Sequence, residues 1–151
     1  MPKAIPKYDP RDPAVLFQRL IGLANRETAG ASTMFMYESG LTFPQIIVMY
    51  VLTWMGPLPM STLAQRLRLS LAATSQLVDR LVDGQFVARE EDPEDRRVRL
   101  VRMRPHGKHF MDRLDEMRRR ELGDAFDRLP ARVRERLTEV LREAVESLSE
   151  E

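Results

Sequence analysis

Two short amphipathic segments, joined by a turn of three or four residues, constrain this fold more than any other feature of the sequence. In the first segment, over about residues 60–67, Leu63, Ala64 and Leu67 recur at helical spacing. Ser70 then suits the N-cap of a second helix over about residues 71–83. The apolar face of that helix consists of Leu71 or Ala73, Thr74, Leu77, Val78 and Leu81. Two short helices joined by so tight a turn are typical of a helix-turn-helix unit.

The next segments change from helical to alternating periodicity. Residues 86–89 and 98–103 alternate apolar and polar side chains, as paired strands do, and a polar turn over residues 90–97 separates them. A β-hairpin that follows a helix-turn-helix predicts a winged helix-turn-helix unit. We assign this winged helix-turn-helix domain to residues 41–108.

Helical patterns also precede this unit. Residues 1–13 hold four of the ten prolines and predict a flexible N-terminal arm. Residues 14–40 predict one long helix that ends at Gly40, and the Thr42-x-x-Gln45 spacing predicts a capping box before the next helix. That next helix, over residues 46–55, is apolar nearly all round, which is typical of a buried central element.

A long amphipathic helix is predicted to begin at Pro105 and to end before Pro130, followed by a last helix. The last helix carries an apolar stripe of Val133, Leu137, Val140, Leu141, Ala144, Val145 and Leu148. We therefore expect a mainly α fold, a winged helix-turn-helix with a small β-hairpin wing, flanked by dimerisation helices over residues 14–40 and 109–151. The alternative is that the terminal helices pack onto their own core.

The composition excludes several kinds of chemistry. The chain has no cysteine and only two histidines, His106 and His109, which excludes disulfides, thiolate metal sites, thiol nucleophiles and histidine clusters. Its seven glycines form no Gly-x-Gly pattern, so no glycine-rich phosphate loop is expected. We expect no catalysis, metal or cofactor. Because the longest apolar stretch has about half of the ~20 residues of a membrane span, we expect a soluble, cytoplasmic protein.

The net charge of +1 conceals a strongly uneven distribution. Residues 96–108 hold six basic side chains and no acid: Arg96, Arg97, Arg99, Arg102, Arg104 and Lys108. Five acids lie just before them, within residues 90–95. Such a block alone is usually a solvated hairpin with internal ion pairs. If the second helix of the pair binds DNA as a recognition helix, however, a wing beside it would bring arginine to the narrow minor groove, which attracts guanidinium groups.

The second helix of the pair carries candidate DNA contacts near its start and on its outer face. These candidates are Ser70, Ala72, Ala73, Ser75, Gln76 and Arg80. Small side chains let a helix enter the major groove deeply, and glutamine can pair with adenine through two hydrogen bonds. Close helix packing is the alternative role of the two alanines. Asp79 would repel phosphate, so we expect it to pair with a neighbouring arginine.

Several motifs together resemble the MarR family of transcriptional regulators. They are Leu41-Thr42-x-x-Gln45, Leu63-Ala64-x-x-Leu67, Ser75-x-Leu77-Val78-Asp79-Arg80-Leu81 after Ser70, and Asp92-Pro93-Glu94-Asp95-Arg96-Arg97 with Leu100 and Gly107. The resemblance implies a homodimer that binds double-stranded DNA at a pseudo-palindromic operator, most often as a repressor. It also implies that Arg97 enters the minor groove, held by an ion pair with Asp95, with Arg96 as a second candidate.

The sequence departs from the family pattern at several positions. Arg68 stands in the turn where the family often has Gly or Asn, and Gln85 stands where it often has Gly, one place after Gly84. Met103-Arg104 replaces the usual Leu-Thr after the wing. Arg68 and Arg104 are therefore candidate phosphate contacts.

Members of this family often bind small phenolic or aromatic effectors in a crevice between the dimerisation helices and the winged domain. By resemblance, Met34, Tyr37, Tyr50, Trp54, Met111 and Arg113 would line this crevice. Methionine and aromatic side chains suit a pliable apolar pocket, although at helical spacing they more often form plain core.

Two other functions are compatible with a winged helix. One is a protein–protein interaction module that antagonises another regulator, for which the wing acids and the small alanines are suited. The other is catalysis, for which only His106 or His109 offers a base near neutral pH. Salt titration against DNA discriminates between the DNA-binding and the protein-binding hypotheses.

Overall fold

The computed structural model describes residues 9, 11–27, 30–95 and 97–149, which form seven helices and one three-stranded antiparallel sheet. The helices are α1 (Pro13–Glu27), α2 (Ala31–Glu38), α3 (Phe43–Met55), α4 (Met60–Leu67), α5 (Leu71–Asp83), α6 (Pro105–Asp127) and α7 (Ala131–Ser149). The strands are β1 (Leu58–Pro59), β2 (Val87–Glu91) and β3 (Arg99–Met103). This confirms the mainly α, winged helix-turn-helix fold. The predicted N-terminal arm lies mostly outside the described residues.

The chain divides into two compact units. The winged unit comprises residues 34–116, and the flanking unit comprises the residues up to Thr33 together with those from Met117 onward. The winged unit is therefore wider than the domain predicted over residues 41–108, because it includes most of α2 and the first half of α6.

The core of the winged unit is built around α3. Four of its apolar side chains, Ile46, Val48, Met49 and Leu52, are buried, as the uninterrupted apolar sequence predicts. The helix starts at the predicted capping box, in which the Gln45 side-chain oxygen accepts hydrogen bonds from the Thr42 amide at 2.7 Å and the Thr42 hydroxyl at 2.9 Å. Around α3 pack Leu63 of α4, Val78 and Leu81 of α5, Val87 and Val101 of the sheet, and Phe110, Met111 and Leu114 of α6.

The helix-turn-helix unit has the predicted boundaries, with α4 over residues 60–67 and α5 over residues 71–83. Ser70 caps α5, since its hydroxyl oxygen accepts a hydrogen bond from the Ala73 amide at 3.2 Å. Of the two candidates for the first inward position of α5, Ala73 is half-buried and Leu71 is 56% exposed. Thr74, Val78 and Leu81 form the buried face of the helix.

The predicted hairpin is present as β2 and β3, with Val87 opposite Met103 and Glu91 opposite Arg99. The sequence did not predict β1, which pairs with the other side of β3 through Leu58 and Val101. Two residues are too few to show alternation. The wing is defined here as β2, β3 and the turn between them.

The single helix predicted over residues 14–40 is wrong, because the structure has two helices, α1 and α2. A buried Ser32 marks the start of α2, where its amide and hydroxyl donate hydrogen bonds to the Glu121 carboxylate at 3.0 and 2.7 Å. A side chain from α6 thus satisfies an amide at the N-terminus of α2 that has no partner within the helix. Gly30, just before α2, further disfavours a continuous helix.

The flanking unit exposes much apolar surface. No described residue of α7 is buried, and its apolar side chains include Leu148 at 75% exposure. The α1 helix likewise exposes Phe17 at 61%. The turn before α7 is held by an ion pair between Arg134 and Asp127 at 2.8 Å. Among the described residues, no helix has both the length and the apolar character that a membrane crossing requires.

Candidate nucleic-acid interface

The outer face of α5 presents most of the predicted DNA contacts. Ser70, Ala72, Gln76 and Arg80 are exposed, whereas Ala73 and Ser75 are half-buried. The buried face of the same helix anchors it to the winged unit, so these side chains are held on a fixed scaffold. Such a helix can present both hydrogen-bonding and small side chains to the edges of bases.

The turn before α5 contains an unusual backbone conformation at Arg68. This residue has φ 54° and ψ 39°, in the left-handed region, and its amide donates to the Ala64 and Gln65 carbonyls. The conformation explains why Gly or Asn would suit this position. The Arg68 side chain is exposed next to the start of α5, as a phosphate contact requires.

The turn of the wing is organised by two aspartates. The Asp92 carboxylate accepts a hydrogen bond from the Glu94 amide at 2.9 Å. The Asp95 carboxylate accepts one from the Arg97 amide at 3.0 Å, and its carbonyl accepts one from the Val98 amide at 2.9 Å. The contact from Asp95 to Arg97 is thus made through the Arg97 backbone, which fixes the turn and leaves the guanidinium exposed. Arg96 lies outside the described residues.

Two of the basic side chains in the wing pair with its acids across the strands. Arg102 contacts Glu90 at 2.8 Å and Arg99 contacts Glu91 at 3.4 Å. Arg104 donates a hydrogen bond to the side-chain oxygen of Gln85, a residue with φ 63°. The internal ion pairs expected of a solvated hairpin are therefore present, and they neutralise part of the basic block.

Sequence reasoning missed Arg89, which joins the wing to α5. Its guanidinium lies 2.7 Å from the Asp79 carboxylate and donates to the Ser75 hydroxyl at 3.0 Å. The expectation that Asp79 pairs with an arginine is confirmed. Arg89 could have been found from the alternation of β2, because Arg89 and the buried Val87 are two residues apart and so lie on one face of the strand.

The winged unit also contains a pocket of about 320 Å³. It is lined by Phe35, Glu38, Ser39, Phe86, His106, His109, Phe110 and Arg113. The Phe35 and Phe110 rings stack at 4.8 Å, and the Arg113 guanidinium lies 4.9 Å from the centre of the Phe35 ring. The His106 and Phe86 rings are 4.6 Å apart. Aromatic faces next to the Arg113 guanidinium suit a flat anion.

The predicted effector residues are scattered relative to this pocket, and only Arg113 lines it. Met111 is buried in the core, whereas Tyr37 and Trp54 are 82% and 78% exposed, and Met34 is also exposed. Tyr50 is half-buried and donates a hydrogen bond to Asp115 at 3.2 Å. Over the described residues, no three His, Cys, Asp or Glu side chains group in a way that could hold a metal ion.

Comparison with known proteins gives matches at the level of sequence and of fold. The model of the MarR family matches residues 39–98, from the end of α2 to the wing. YsmB of Bacillus subtilis, described as an uncharacterised HTH-type transcriptional regulator, is 29% identical over 90 residues. That match covers 60% of this chain and 62% of YsmB, so the chain spans about three fifths of the length of this relative.

Solved structures extend the likeness over most of the chain. RV1404 from Mycobacterium tuberculosis is 25% identical, with a TM-score of 0.70 and 90% of each chain covered. The transcriptional regulator Tm0710 from Thermotoga maritima has a TM-score of 0.74 at 18% identity, over 89% of this chain and 92% of the other. BpsR of Bordetella bronchiseptica, whose DNA binding is regulated by 6-hydroxynicotinic acid, has a TM-score of 0.57 at 20% identity, over 93% and 98%. At 18% and 20% identity, Tm0710 and BpsR show a likeness of fold alone.

Proposed function

This chain belongs to the MarR family of winged helix-turn-helix transcription regulators, and from that premise we propose that it is a sequence-specific DNA-binding repressor. It binds a pseudo-palindromic operator in double-stranded DNA as a homodimer in the cytoplasm, and a small aromatic effector releases it. It needs no cofactor or metal and catalyses no reaction.

The observation that carries the proposal is the arrangement of α5 beside the wing. The α5 helix is capped by Ser70 and exposes Gln76 and Arg80, so it suits the major groove. The wing turn presents the exposed Arg97, whose backbone is held by Asp95, so it suits the adjacent minor groove. In this proposal α5 reads base edges and the wing reads groove width.

The homodimer is supported by the exposed apolar side chains of the flanking unit. A contiguous apolar stripe exposed on a terminal helix is unusual in a monomer and typical of an interface. Both α1 and α7 carry such side chains. Two copies would place two α5 helices on two half-sites, which explains why the operator would be pseudo-palindromic.

The test of DNA binding is the affinity of Arg97→Ala for an operator duplex, measured by fluorescence anisotropy. We expect binding to weaken by about 1.5–3 kcal/mol, the usual contribution of a hydrogen bond made by a charged group, with an unchanged unfolding midpoint. The matched control is Arg102→Ala, which removes an arginine already paired with Glu90 and should bind nearly normally. Equal affinities for wild type and Arg97→Ala would contradict the role of the wing.

The effector is proposed to bind in the pocket lined by Phe110 and Arg113. Stacking on the aromatic rings and a charge-assisted hydrogen bond from the guanidinium would together select a phenolic or aromatic carboxylate. The regulation of BpsR by a hydroxylated aromatic acid is consistent with this class of ligand.

Titration calorimetry with hydroxybenzoate tests the effector proposal. We expect Arg113→Gln to weaken binding about tenfold or more, because a hydrogen bond to a charged group contributes about 1.5–3 kcal/mol. Arg119→Gln, an exposed arginine of the same helix outside the pocket, should bind like wild type. Equal affinity of both variants for hydroxybenzoate would place the effector elsewhere.

A further inference from the structure

Arg89 is the one described side chain of β2 that forms an ion pair with α5. A single guanidinium nitrogen, Nη2, lies 2.7 Å from Asp79 Oδ1, 3.0 Å from Ser75 Oγ and 3.4 Å from the Ser75 carbonyl. Ser75 and Asp79 are four residues apart on α5, so they lie on the same face of that helix. The contact therefore spans one turn of α5.

The other ion pairs of the wing have a different geometry. Arg102 with Glu90 and Arg99 with Glu91 join β3 to β2, so they stiffen the hairpin internally. They do not fix the hairpin against the helix. Among these pairs, only the one made by Arg89 resists a rotation of the wing relative to α5.

This relative position matters for a protein that reads two grooves at once. Base readout requires donors and acceptors at hydrogen-bond distance, so a small displacement of the wing costs contacts in one groove or the other. The pair also neutralises Asp79, an exposed carboxylate of α5 that would otherwise repel the phosphates.

We propose that Arg89 is a positioning residue for DNA recognition, which sets sequence specificity by holding the wing against α5 through Ser75 and Asp79. This inference rests on the proposed function. In this proposal, the Ser75 hydroxyl makes the internal contact with Arg89, and Gln76, Arg80 and Arg97 discriminate between bases.

A merely structural role of Arg89 would lower stability and leave the preference for one sequence unchanged. The side chains of Arg89 and Asp79 are 34% and 52% exposed, and ion pairs this exposed contribute little to stability. The specificity ratio, which is the affinity for a selected duplex divided by that for a scrambled duplex, therefore separates positioning from stability. The slope of affinity against salt separates positioning from a direct phosphate contact, which would change the slope by about 1.

The experiment compares wild type, Arg89→Gln, Arg89→Lys, Asp79→Asn and the control Arg102→Gln. The specific probe is the duplex most enriched by wild type from a random pool, and the scrambled probe has the same composition. We expect Arg89→Gln to lower the specificity ratio about tenfold or more, which is the effect of about one mismatched base pair, with an unchanged salt slope. Arg89→Lys should restore the ratio, because one lysine nitrogen can replace Nη2, and Arg102→Gln should keep it.

Asp79→Asn gives an independent readout if Arg89→Gln fails to fold. Positioning predicts that it lowers the specificity ratio, whereas simple removal of a repulsive charge would tighten binding to both duplexes equally. Two results would overturn the inference. One is that Arg89→Gln loses affinity equally for both duplexes and has a smaller salt slope. The other is that neither Arg89→Gln nor Asp79→Asn changes the specificity ratio. If wild type binds neither duplex at low salt, the proposed function itself fails, and the inference with it.

Discussion

At the scale of single residues, Gly107 decides how closely α6 approaches the turn before β2. A Cβ atom at this position would lie 2.2 Å from the Phe86 carbonyl oxygen, a backbone atom that cannot move aside without shifting the wing. The same carbonyl already accepts a hydrogen bond from the Arg104 amide at 2.9 Å. Glycine is therefore required here by the approach of two backbones rather than by backbone conformation.

We predict that Gly107→Ala destabilises the protein by about 1–3 kcal/mol or more, the range of overpacking in a tightly packed site. Gly123→Ala in the same helix has no neighbour within 4 Å of its new Cβ and should stabilise by about 0.5–1 kcal/mol through helix propensity. Urea unfolding of the two variants measures both effects. Equal stabilities would contradict the close contact between Gly107 and Phe86.

Arg68 is the second residue whose local geometry makes a sharp prediction. Its left-handed conformation is strained for a residue with a Cβ atom. Glycine removes that strain but gives the unfolded chain more conformational entropy, so Arg68→Gly should stabilise the protein by a net of about 0.5–1 kcal/mol. Arg66→Gly, two residues earlier inside α4, should instead destabilise by about 1 kcal/mol. Thermal unfolding distinguishes the two, and a loss of stability for both variants would show that Arg68 is unstrained.

At the scale of elements, the start of α2 depends on one carboxylate of α6. Partial burial raises the pKa of Glu121, but the hydrogen bonds from the Ser32 hydroxyl and amide outweigh it and hold that pKa below its usual value of 4.5. A carboxyl group whose pKa is lower in the folded state stabilises the fold above its unfolded pKa. That stabilisation is lost as the pH falls below about 4.5 and through the folded value.

We therefore predict that wild type is more stable than Glu121→Gln at pH 7, and that the difference disappears as the pH falls from about 4.5 through the lowered pKa of Glu121. Glutamine keeps an acceptor for Ser32 but removes the charge, so the variant isolates the titration. The measurement is the free energy of unfolding of both proteins between pH 7 and pH 3. A difference that stays constant over this range would contradict the linkage.

The elements with strong local signals were predictable from the sequence. The α4 and α5 boundaries follow from the periodicity and from Ser70, and the end of α6 follows from Pro130. The break between α1 and α2 was missed because Ser32 meets a partner 89 residues away, which no local pattern reports. The strand β1 was missed because Leu58 pairs with Val101 only in the folded sheet.

The candidate interface was predictable only where local sequence patterns determine which side chains are exposed. The exposure of Gln76, Arg80 and Arg97 follows from helical phase and from the wing turn. The pairing of Arg99 and Arg102 with wing acids depends on strand register, and the role of Arg89 depends on the packing of β2 against α5. The pocket depends on the packing of aromatic rings such as Phe35 and Phe110, which sequence spacing does not reveal.

At the scale of the whole molecule, the exposed stripe on α7 predicts self-association. A charged group at a buried apolar interface costs several kcal/mol unless it is paired, so Val145→Lys should dissociate a dimer built on this face. Glu146→Lys places the same side chain on the polar face of the helix and should leave the dimer intact. Sedimentation analysis of both variants decides this, and a monomeric wild type would contradict the interface.

The charge of the whole molecule is also informative only when it is resolved along the chain. The total of +1 combines a basic wing with an acidic end, since residues 143–151 hold four acids and no base. The ion pairs within the wing reduce its net field, so we expect affinity for DNA to come from a few exposed arginines such as Arg80 and Arg97. Each phosphate contact contributes about 0.9 to the salt slope.

Sequence-specific binding of DNA by two copies of this chain is tested by selection of bound duplexes from a random pool with the purified protein. We expect an enriched inverted repeat whose half-site centres lie about 10 base pairs apart or a multiple of that, bound with an affinity that falls steeply with salt. A pool with no enriched sequence and no measurable binding at low salt would contradict it.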